Sequence, residues 1–190
     1  ATGDAEVVAN VTDDVVFGSA AADHMIVTAT DGNATAGGTE VLSVQLVDQY
    51  GNSVSNASAV NLTVDGSATF SANDIGGSNG TNATSGTLAA DGSGSVTIIN
   101  NNAETVTITA NATGDAEVVA NVTDDVVFGS AAADHMIVAA TDGNATAGGT
   151  EVLSIQLVDQ YGNLVSNASA VNITVNGNAT FSANDIGGSN

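Results

Sequence analysis

The residues of this chain with the clearest chemical signature are asparagines that stand two positions before a serine or threonine. This Asn-x-Ser/Thr sequon accepts N-linked sugars on surface segments of secreted proteins. Within residues 1–111, seven of the twelve asparagines belong to sequons, where composition alone would give about two or three. The full set is Asn10, Asn33, Asn56, Asn61, Asn79, Asn82, Asn111, Asn121, Asn144, Asn167, Asn172 and Asn178.

The placement of these sequons favours glycosylation. Asn61 alternates with Val60 and Leu62, so a strand that buries the two apolar residues turns Asn61 to solvent. Asn172 has the equivalent position in a second copy of the same sequence. We therefore expect sugars on several sequons, where they would also keep exposed strand edges from pairing. The alternative is a simple compositional bias towards Thr and Asn on the surface.

Pairs of aspartates are the second chemical feature. Two acidic pairs precede short runs of small residues, and a single aspartate follows each run; the six residues are Asp13, Asp14, Asp23, Asp124, Asp125 and Asp134. Carboxylate oxygens that converge at a junction between domains are suitable Ca²⁺ ligands. The spacing matches neither an EF-hand nor a nonapeptide calcium loop, so calcium at these junctions is a hypothesis, and solvated surface carboxylates are the alternative.

Catalytic arrangements have little basis in this sequence. Lys, Arg and Cys are absent, and the only histidines are His24 and His135. Most acid–base and nucleophilic mechanisms therefore lack their usual groups. A pair of carboxylates can hydrolyse a glycoside, but aromatic residues that would stack on a sugar make up only 3 % of the chain. The sequence predicts a protein that is not an enzyme and has no certain cofactor.

The charge of the chain restricts its partners. Twenty-one acidic residues and no basic ones give a net charge of −21. Binding to nucleic acid needs cations that replace phosphate counterions, so nucleic acid is excluded as a partner, and the same holds for anionic membrane surfaces. No apolar run is long enough to span a bilayer, so membrane insertion is not expected. Self-repulsion of the acids indicates a saline or calcium-containing exterior, unless the charges are spread too thinly to matter.

The elements that position these residues are organised around the segment EVLSVQLVDQYGN at residues 40–52, which returns almost unchanged at 151–163. The return is part of a longer repeat in which residues 112–190 copy residues 1–79 with six differences. Self-similarity at a fixed offset, here 111 residues, is typical of a tandem array.

Alternating apolar and polar residues predict short strands throughout the chain, and no helical periodicity is present. We also predict a long polar loop over 73–86 and a hairpin over 87–100 that turns at Asp91-Gly92. Such strands with Gly, Asp and Asn turns favour an all-β fold of immunoglobulin-like sandwich modules in tandem. The predicted strands cover residues 5–11, 24–30, 40–48, 60–64, 68–72, 87–90, 95–100 and 105–110.

The repeat predicts where the modules begin and end. Residues 1–22 are interpreted as the C-terminal strand of a preceding module, 23–130 as a complete module, and 131–190 as the N-terminal part of the next one. The chain length of 190 residues is not a whole multiple of the 111-residue repeat, so we expect the native polypeptide to continue beyond both ends.

Taken in order, these segments resemble the bacterial immunoglobulin-like domain of invasin and intimin. The resemblance rests on TEVLSVQLVDQYGNSVSNASAVNLTV, then LAADGSGSVTI, then TVTITA. The family usually has a proline after the Gly-Asn turn, where this chain has Ser53. The resemblance implies a tandem repeat of a large surface protein, with a spacer or adhesin function.

These features together predict an extracellular, non-enzymatic structural repeat at the cell surface, such as the stalk of an adhesin, a surface-layer protein or a filament protein. Its partners would be neighbouring modules of the same polypeptide or identical chains in a filament. An alternative function is that of a filament subunit that polymerises when one chain donates a β-strand to another.

Overall fold

A computed structural model describes residues 13–113, 122–167 and 169–182. The chain divides into two compact units, Ala1–Gly129 and Ser130–Asn190, and each is described by itself below. The predicted strand over 5–11, and the sequons at Asn10 and Asn121, lie outside the described residues. The described part of the chain contains strands and turns and no helix.

Nine strands belong to the first unit and two to the second. The first unit contains β1 (Ala22–Ala29), β2 (Asn33–Thr35), β3 (Thr39–Asp48), β4 (Ala59–Val64), β5 (Thr69–Asn73), β6 (Ala83–Thr87), β7 (Ser93–Ile99), β8 (Thr105–Ala112) and β9 (Val122–Gly129). The second unit contains β10 (Ala133–Ala140) and β11 (Leu153–Asp159).

The nine strands of the first unit form two sheets. One sheet has four antiparallel strands in the order β1-β3-β7-β5. The other has five strands in the order β2-β9-β8-β4-β6, in which only the short pairing of β2 with β9 is parallel. Apart from β8 and β9, neighbouring strands in the two sheets are not consecutive in sequence, because the chain crosses repeatedly from one sheet to the other.

The core lies between these two sheets and is almost wholly aliphatic. Leu42, Val44 and Leu46 of β3 point inward, as the alternation in the sequence predicts, and all three are buried. Phe70 and Phe128 are the largest fully buried side chains. Two sheets that bury alternate residues against each other form a sandwich. Residues 22–113 and 122–129 therefore form an immunoglobulin-like β-sandwich, and the all-β prediction is confirmed.

The predicted hairpin over 87–100 is wrong. Thr87 ends β6 and pairs with Ala59 of β4 in the five-stranded sheet, whereas Ser93 begins β7 in the four-stranded sheet. The turn at Gly92 is present, with φ of 78°, but the chain around it crosses between the sheets. Leu88 is buried in the core at this crossing, and burial of this side chain separates the two segments that the sequence pattern joins.

The predicted loop over 73–86 also differs from the structure, because β6 lies within it. Strand β6 has the sequence ATSGT and contains no large apolar residue. It is an edge strand that pairs only with β4, and only Thr84 is buried among its residues. A strand that takes its stability from backbone pairing with one neighbour has no hydrophobic alternation for the sequence to show.

Strand β9, with the sequence VTDDVVFG, is not among the strands that the sequence predicts. Its central residues are acidic, which hides the alternation. The structure pairs β9 with β8 over six positions and buries Val126 and Phe128 completely in the core. Strand β9 therefore closes the sandwich.

The first copy of the same sequence has no such environment. Val15 is 71 % exposed and Phe17 is 91 % exposed, whereas their counterparts Val126 and Phe128 are 0 % and 1 % exposed. No residue of the described segment 13–20 belongs to a strand. The same hexapeptide, DDVVFG, is thus part of a core strand where partner strands surround it and an exposed segment where they do not.

The second unit shows the same dependence on partners. Strands β10 and β11 pair in the same register as β1 and β3, but Met136 and Leu153 are exposed where Met25 and Leu42 are fully buried. The boundary between the units follows Gly129, next to the predicted module end at residue 130. The assignment of 1–22 and 131–190 to neighbouring modules stays a prediction.

The sandwich begins and ends at opposite ends of its long axis. Strand β1 begins where Ala22 pairs with Asp48, and its other end lies at Ala29, whose N–H donates to Asp124 of β9. From there the chain continues alongside β9 until Thr35 pairs with Gly129. Strands β1 and β9 therefore run in the same direction, and the end of β9 is far from the start of β1.

Candidate functional site

All sequon asparagines in the described part of the chain are exposed, as the glycosylation hypothesis requires. They lie in strands, in turns and in the second unit, and include Asn172, which the structure places outside any strand. The exposed set is Asn33, Asn56, Asn61, Asn79, Asn82, Asn111, Asn144, Asn167, Asn172 and Asn178. Exposure makes these sites accessible and does not test whether sugars are attached.

Three of these sequons share the outer face of the five-stranded sheet. Asn33 lies in β2, Asn61 in β4 and Asn111 in β8. Asn61 is directly opposite Asn111 on one side and Ser85 of β6 on the other. The alternation of β4 and β8 forces this arrangement, because both strands turn their apolar residues to the core. The outer face is therefore a polar surface on which sequons are neighbours.

Two sequons are exposed at the asparagine but hidden at the hydroxyl. The hydroxyl residue of the Asn56 sequon is Ser58, and that of the Asn82 sequon is Thr84. Both hydroxyl residues are buried. Thr84 Oγ1 has no hydrogen-bond partner, and a side chain at Gly77 would clash with it. Since the hydroxyl is part of the sequon, the folded sandwich presents these two sites incompletely.

The aspartates proposed as calcium ligands are partly engaged in hydrogen bonds. Asp124 Oδ2 accepts a bond of 2.7 Å from the Ala29 N–H, which ties β9 to the first strand of the opposite sheet. Asp125 Oδ1 accepts a bond of 2.8 Å from the Thr107 hydroxyl on the neighbouring strand. These two carboxylates therefore stabilise the closure of the sandwich by β9.

The other proposed ligands are exposed, namely Asp13, Asp14, Asp23 and Asp134. Asp23 contacts the ring of His24 at 2.9 Å, and Asp134 contacts His135 at 2.8 Å. Within the described ranges, no three His, Cys, Asp or Glu residues are grouped so that they could hold a metal ion. Calcium binding at these aspartates stays a prediction without a preformed cluster.

A buried carboxylate that sequence reasoning missed lies at the end of β3. Asp48 is 0 % exposed. Its Oδ1 accepts bonds of 2.9 Å from the N–H groups of Tyr50 and Asn52, and the Asn52 side chain donates to both of its oxygens. The Oδ2 atom accepts a further bond of 2.9 Å from the N–H of Ala20, 28 residues earlier. Asp48 therefore holds both the turn that follows β3 and the segment that leads into β1.

The second unit repeats this arrangement. Asp159 is also 0 % exposed and accepts bonds from the N–H groups of Tyr161, Asn163 and Ala131 at 2.9, 2.9 and 2.8 Å. Because the turn forms in both units, Asp-Gln-Tyr-Gly-Asn folds as a local structure that does not need the complete sandwich. The exact repetition of DQYGN was the sequence feature that could have indicated this turn and its aspartate.

These contacts change the acidity of both carboxyl groups. Burial alone would raise the pKa of Asp48, but bonds from the Ala20 N–H, from the side chain and backbone of Asn52 and from the Tyr50 N–H lower it from 3.8 to about 2. The pKa of Asp159 is lowered from 3.8 to about 2 by the same balance of burial and hydrogen bonds. Donors that point at a carboxylate favour its charged form, so these aspartates are structural anions.

One concave surface of the described residues lies where β7 ends and β5 begins. A shallow groove of about 360 Å³ is lined by Ser67, Thr69, Ile99 and residues 100–102. All these residues are uncharged and none is aromatic, so the groove offers neither an acid–base pair nor a stacking platform for a sugar. No helix able to cross a membrane is present in the described residues.

Comparison with known proteins gives no family for this chain. No family model matches it, and no curated protein matches it.

Solved structures with a similar fold belong to several kinds of protein. A glycosyl hydrolase family 2 member from Bacteroides cellulosilyticus is 16 % identical, with a TM-score of 0.47, over 58 % of this chain and 14 % of its own. The Escherichia coli adhesin FdeC is 19 % identical, with a TM-score of 0.44, over 77 % of this chain and 44 % of its own. Domains 1–6 of the surface layer protein SbsC are 19 % identical, with a TM-score of 0.42, over 76 % of this chain and 17 % of that one. At this level of similarity these structures assign no activity to this chain.

Proposed function

We propose that this chain is a non-enzymatic structural repeat of an extracellular protein, such as the stalk of a cell-surface adhesin or a surface-layer protein. The observation that carries the proposal is the geometry of the sandwich, in which β1 begins at one end and β9 finishes at the other. A module built in this way adds its own length to a tandem array. Its surface carries sequons and acids, and the described residues contain no group of three His, Cys, Asp or Glu residues that could hold a metal ion.

Immunogold labelling of intact cells from the native source tests this proposal. We expect antibodies against residues 22–129 to label non-permeabilised cells, with gold particles beyond the outer boundary of the envelope. Antibodies against a cytoplasmic protein, used on the same cells, control for leakage. Labelling that appears only after permeabilisation would contradict an extracellular function.

The glycosylated surface is the second part of the proposal. Sugars on the outer face of the five-stranded sheet would cover polar strands without disturbing the core, since Asn33, Asn61 and Asn111 are all exposed. We expect the protein from its native source to have a mass above the 18.4 kDa of the polypeptide for the corresponding segment. We also expect lower occupancy at Asn56 and Asn82 than at Asn61 if sugars are added after folding, because the hydroxyls of the first two sequons are buried.

Mass spectrometry of peptides from the native protein checks both expectations. Trypsin is unsuitable because the chain has no Lys or Arg, so cleavage after Glu and Asp is needed. A mass equal to that of the bare polypeptide would refute the glycosylation. Equal occupancy at all sequons would instead indicate that sugars are added before the sandwich folds.

A second candidate function, polymerisation by strand donation, is favoured by the exposed segment Asp13–Gly18. This segment has the sequence of β9 from Asp124 to Gly129, and its apolar side chains Val15 and Phe17 have no core to enter. Placed where β9 lies, a donated copy would bury the same side chains that β9 buries. Such a strand completes the sheet of another molecule through backbone hydrogen bonds.

The linker between Gly18 and Ala22 is too short for this segment to take the place of β9 in its own sandwich. Gly18 would have to lie at the position of Gly129, beyond the far end of β1, while Ala22 stays at the start of β1. Three intervening residues span at most about 14 Å, whereas the eight residues of β1 alone extend over about 23 Å. An exchange of strands must therefore join two chains.

The substitution Val126→Asp tests this alternative, because it disables β9 and leaves residues 13–18 as the intact copy of the strand. If chains can exchange strands, the variant forms dimers and longer assemblies whose size increases with concentration in analytical ultracentrifugation. Adding Val15→Asp, which disables the donor as well, should abolish the assemblies. A variant that stays monomeric, or one whose assembly survives Val15→Asp, would refute strand donation.

A further inference from the structure

We propose that Asn61 and Asn111 are mutually exclusive glycosylation sites, so that one molecule carries a sugar on one of them and not on both. The inference rests on the proposed glycosylation and names how two of its sites regulate each other. It starts from the pairing of β4 with β8, in which Asn61 and Asn111 are direct partners.

The register fixes the distance between the two asparagines. Directly opposite residues of antiparallel strands have Cβ atoms about 4.5–5.5 Å apart, on the same face of the sheet. Both residues are exposed, and the pairs on either side along the two strands, Leu62 with Ala110 and Val60 with Ala112, turn inward. The two side-chain amides therefore leave the same small area of the outer face in parallel.

The surroundings leave little room for the two amides to diverge. Strand β4 lies between β6 and β8, and β8 lies between β4 and β9. Asn61 has Ser85 on its other side, and the next outward pair along the strands is Thr63 with Thr109. Asn61 is paired on both sides, with Ser85 and with Asn111, and Asn111 is held beside it by that pairing, so a sugar on either asparagine remains above the other.

Transfer of a sugar to either asparagine requires free access to its amide. The amide nitrogen attacks the anomeric carbon of an activated glycosyl phosphate, a C–N bond forms, and the C–O bond to phosphate breaks. The phosphate leaves with the electron pair, and the amide loses one proton to a base of the transferase. A transferase must surround the amide and the sequon hydroxyl, Thr63 or Thr113, both of which are exposed.

The first sugar blocks the second transfer by occupying this space. A pyranose ring is about as wide as the spacing between opposite side chains in paired strands, about 5 Å. Once a sugar stands on one asparagine, it covers the amide of the other and excludes the transferase. The two occupancies should therefore sum to no more than one per molecule.

The chain contains a matched control for this effect. Asn172 stands in the same local sequence as Asn61, with Val171 before it and Thr174 at the hydroxyl position. It is exposed, and it belongs to no strand in the structure. A sugar on Asn172 therefore has no opposite asparagine to block it.

The test is to express the full chain in a host that glycosylates it and to measure occupancy at Asn61, Asn111 and Asn172 by mass spectrometry of Glu-cleaved peptides. Cleavage after Glu104 places Asn61 and Asn111 on different peptides. The variants are Asn61→Gln, Asn111→Gln, and Thr113→Ala, which removes the sequon and leaves the asparagine in place. Thermal unfolding of each variant verifies that the sandwich is intact.

We expect the occupancies of Asn61 and Asn111 in the unchanged chain to sum to one or less. Removal of whichever sequon carries more sugar should raise occupancy of the other severalfold and leave Asn172 unchanged. A sum clearly above one, or no increase at the remaining site, would overturn the exclusion while leaving the glycosylation standing. Sugar on Asn172 with none on either Asn61 or Asn111 would also overturn it, and absence of sugar from every sequon would refute the proposed glycosylation itself.

Discussion

Replacing Phe128 with alanine is expected to lower the free energy of unfolding of the sandwich by about 3–5 kcal/mol, the usual cost of removing a buried phenylalanine ring. Phe128 is 1 % exposed and lies in the core beside Val126 of the same strand. Loss of the ring removes its contacts and leaves a cavity that aliphatic neighbours fill only in part. A loss of this size is a large fraction of the stability of a small domain.

The repeat supplies an unusually close control for this substitution. Phe17→Ala changes the same residue in the same octapeptide, but Phe17 is 91 % exposed. The free energy of unfolding of the sandwich should therefore change by no more than about 0.5 kcal/mol in this variant. Urea unfolding followed by circular dichroism measures both variants. Similar losses for Phe128→Ala and Phe17→Ala would show that residues 13–18 are packed in solution and would contradict the structure.

The second large effect is expected from Asp48→Asn, which should lower the thermal midpoint of the sandwich by on the order of 10 °C. The amide group keeps the shape of the side chain but replaces one acceptor oxygen with a donor. That donor would face N–H groups that now bond to the carboxylate, either those of Tyr50 and Asn52 at Oδ1 or that of Ala20 at Oδ2. Buried donors without acceptors are costly, so the turn and the segment before β1 should both loosen.

Asp91→Asn is the matched control, because Asp91 also accepts bonds within a turn, from the N–H and hydroxyl of Ser93, but is exposed. Water replaces any lost bond there, so the midpoint should change little. Calorimetry distinguishes the two variants, and amide exchange at Ala20 reports directly on the bond to Asp48. Unchanged protection of the Ala20 amide in Asp48→Asn would contradict the assigned contact.

The carboxylates of Asp48 and Asp159 make the stability of the folded chain depend on pH. The pKa of Asp48 and that of Asp159 are each about 2 in the folded chain against 3.8 without these contacts. A lowered pKa means that the folded state binds protons less readily than the unfolded state. The stabilisation is therefore complete above about pH 4 and is lost as the pH falls towards 2. Melting curves between pH 2 and 5 should show this loss for the unchanged chain and a smaller loss for Asp48→Asn, which retains the contribution of Asp159.

Much of the fold could be predicted from the sequence where a strand is buried on one face. Val60, Leu62 and Val64 alternate with polar residues, and the structure forms β4 from Ala59 to Val64 with those three side chains inward. The same alternation predicts β3 and β8, and it correctly predicts that Asn61 is exposed to solvent. Alternation works for these strands because each of them lies against the core along its whole length.

The rule fails where a strand is held by something other than its own apolar residues. Strand β6 is polar and depends on pairing with β4, and β9 has two aspartates at its centre whose carboxylates bond to Ala29 and Thr107. Asp48 shows the same limit for the candidate site, since nothing in its residue type distinguishes a buried anion from a surface one. Its burial follows from Ala20, a residue 28 positions away.

Local pattern and composition are sufficient to predict the all-β class, the alternating strands, the repeat of 111 residues and the exposure of Asn61. They do not predict which copy of each segment is folded into a core, because that depends on contacts with distant parts of the chain. VTDDVVFG closes a sandwich at Val122–Gly129, whereas its earlier copy leaves Val15 and Phe17 exposed, and Met25 is buried whereas Met136 is exposed. A strand becomes a core strand only when neighbouring strands cover its apolar face and pair with its backbone. Two identical segments therefore differ in burial because the rest of the chain surrounds one of them and not the other.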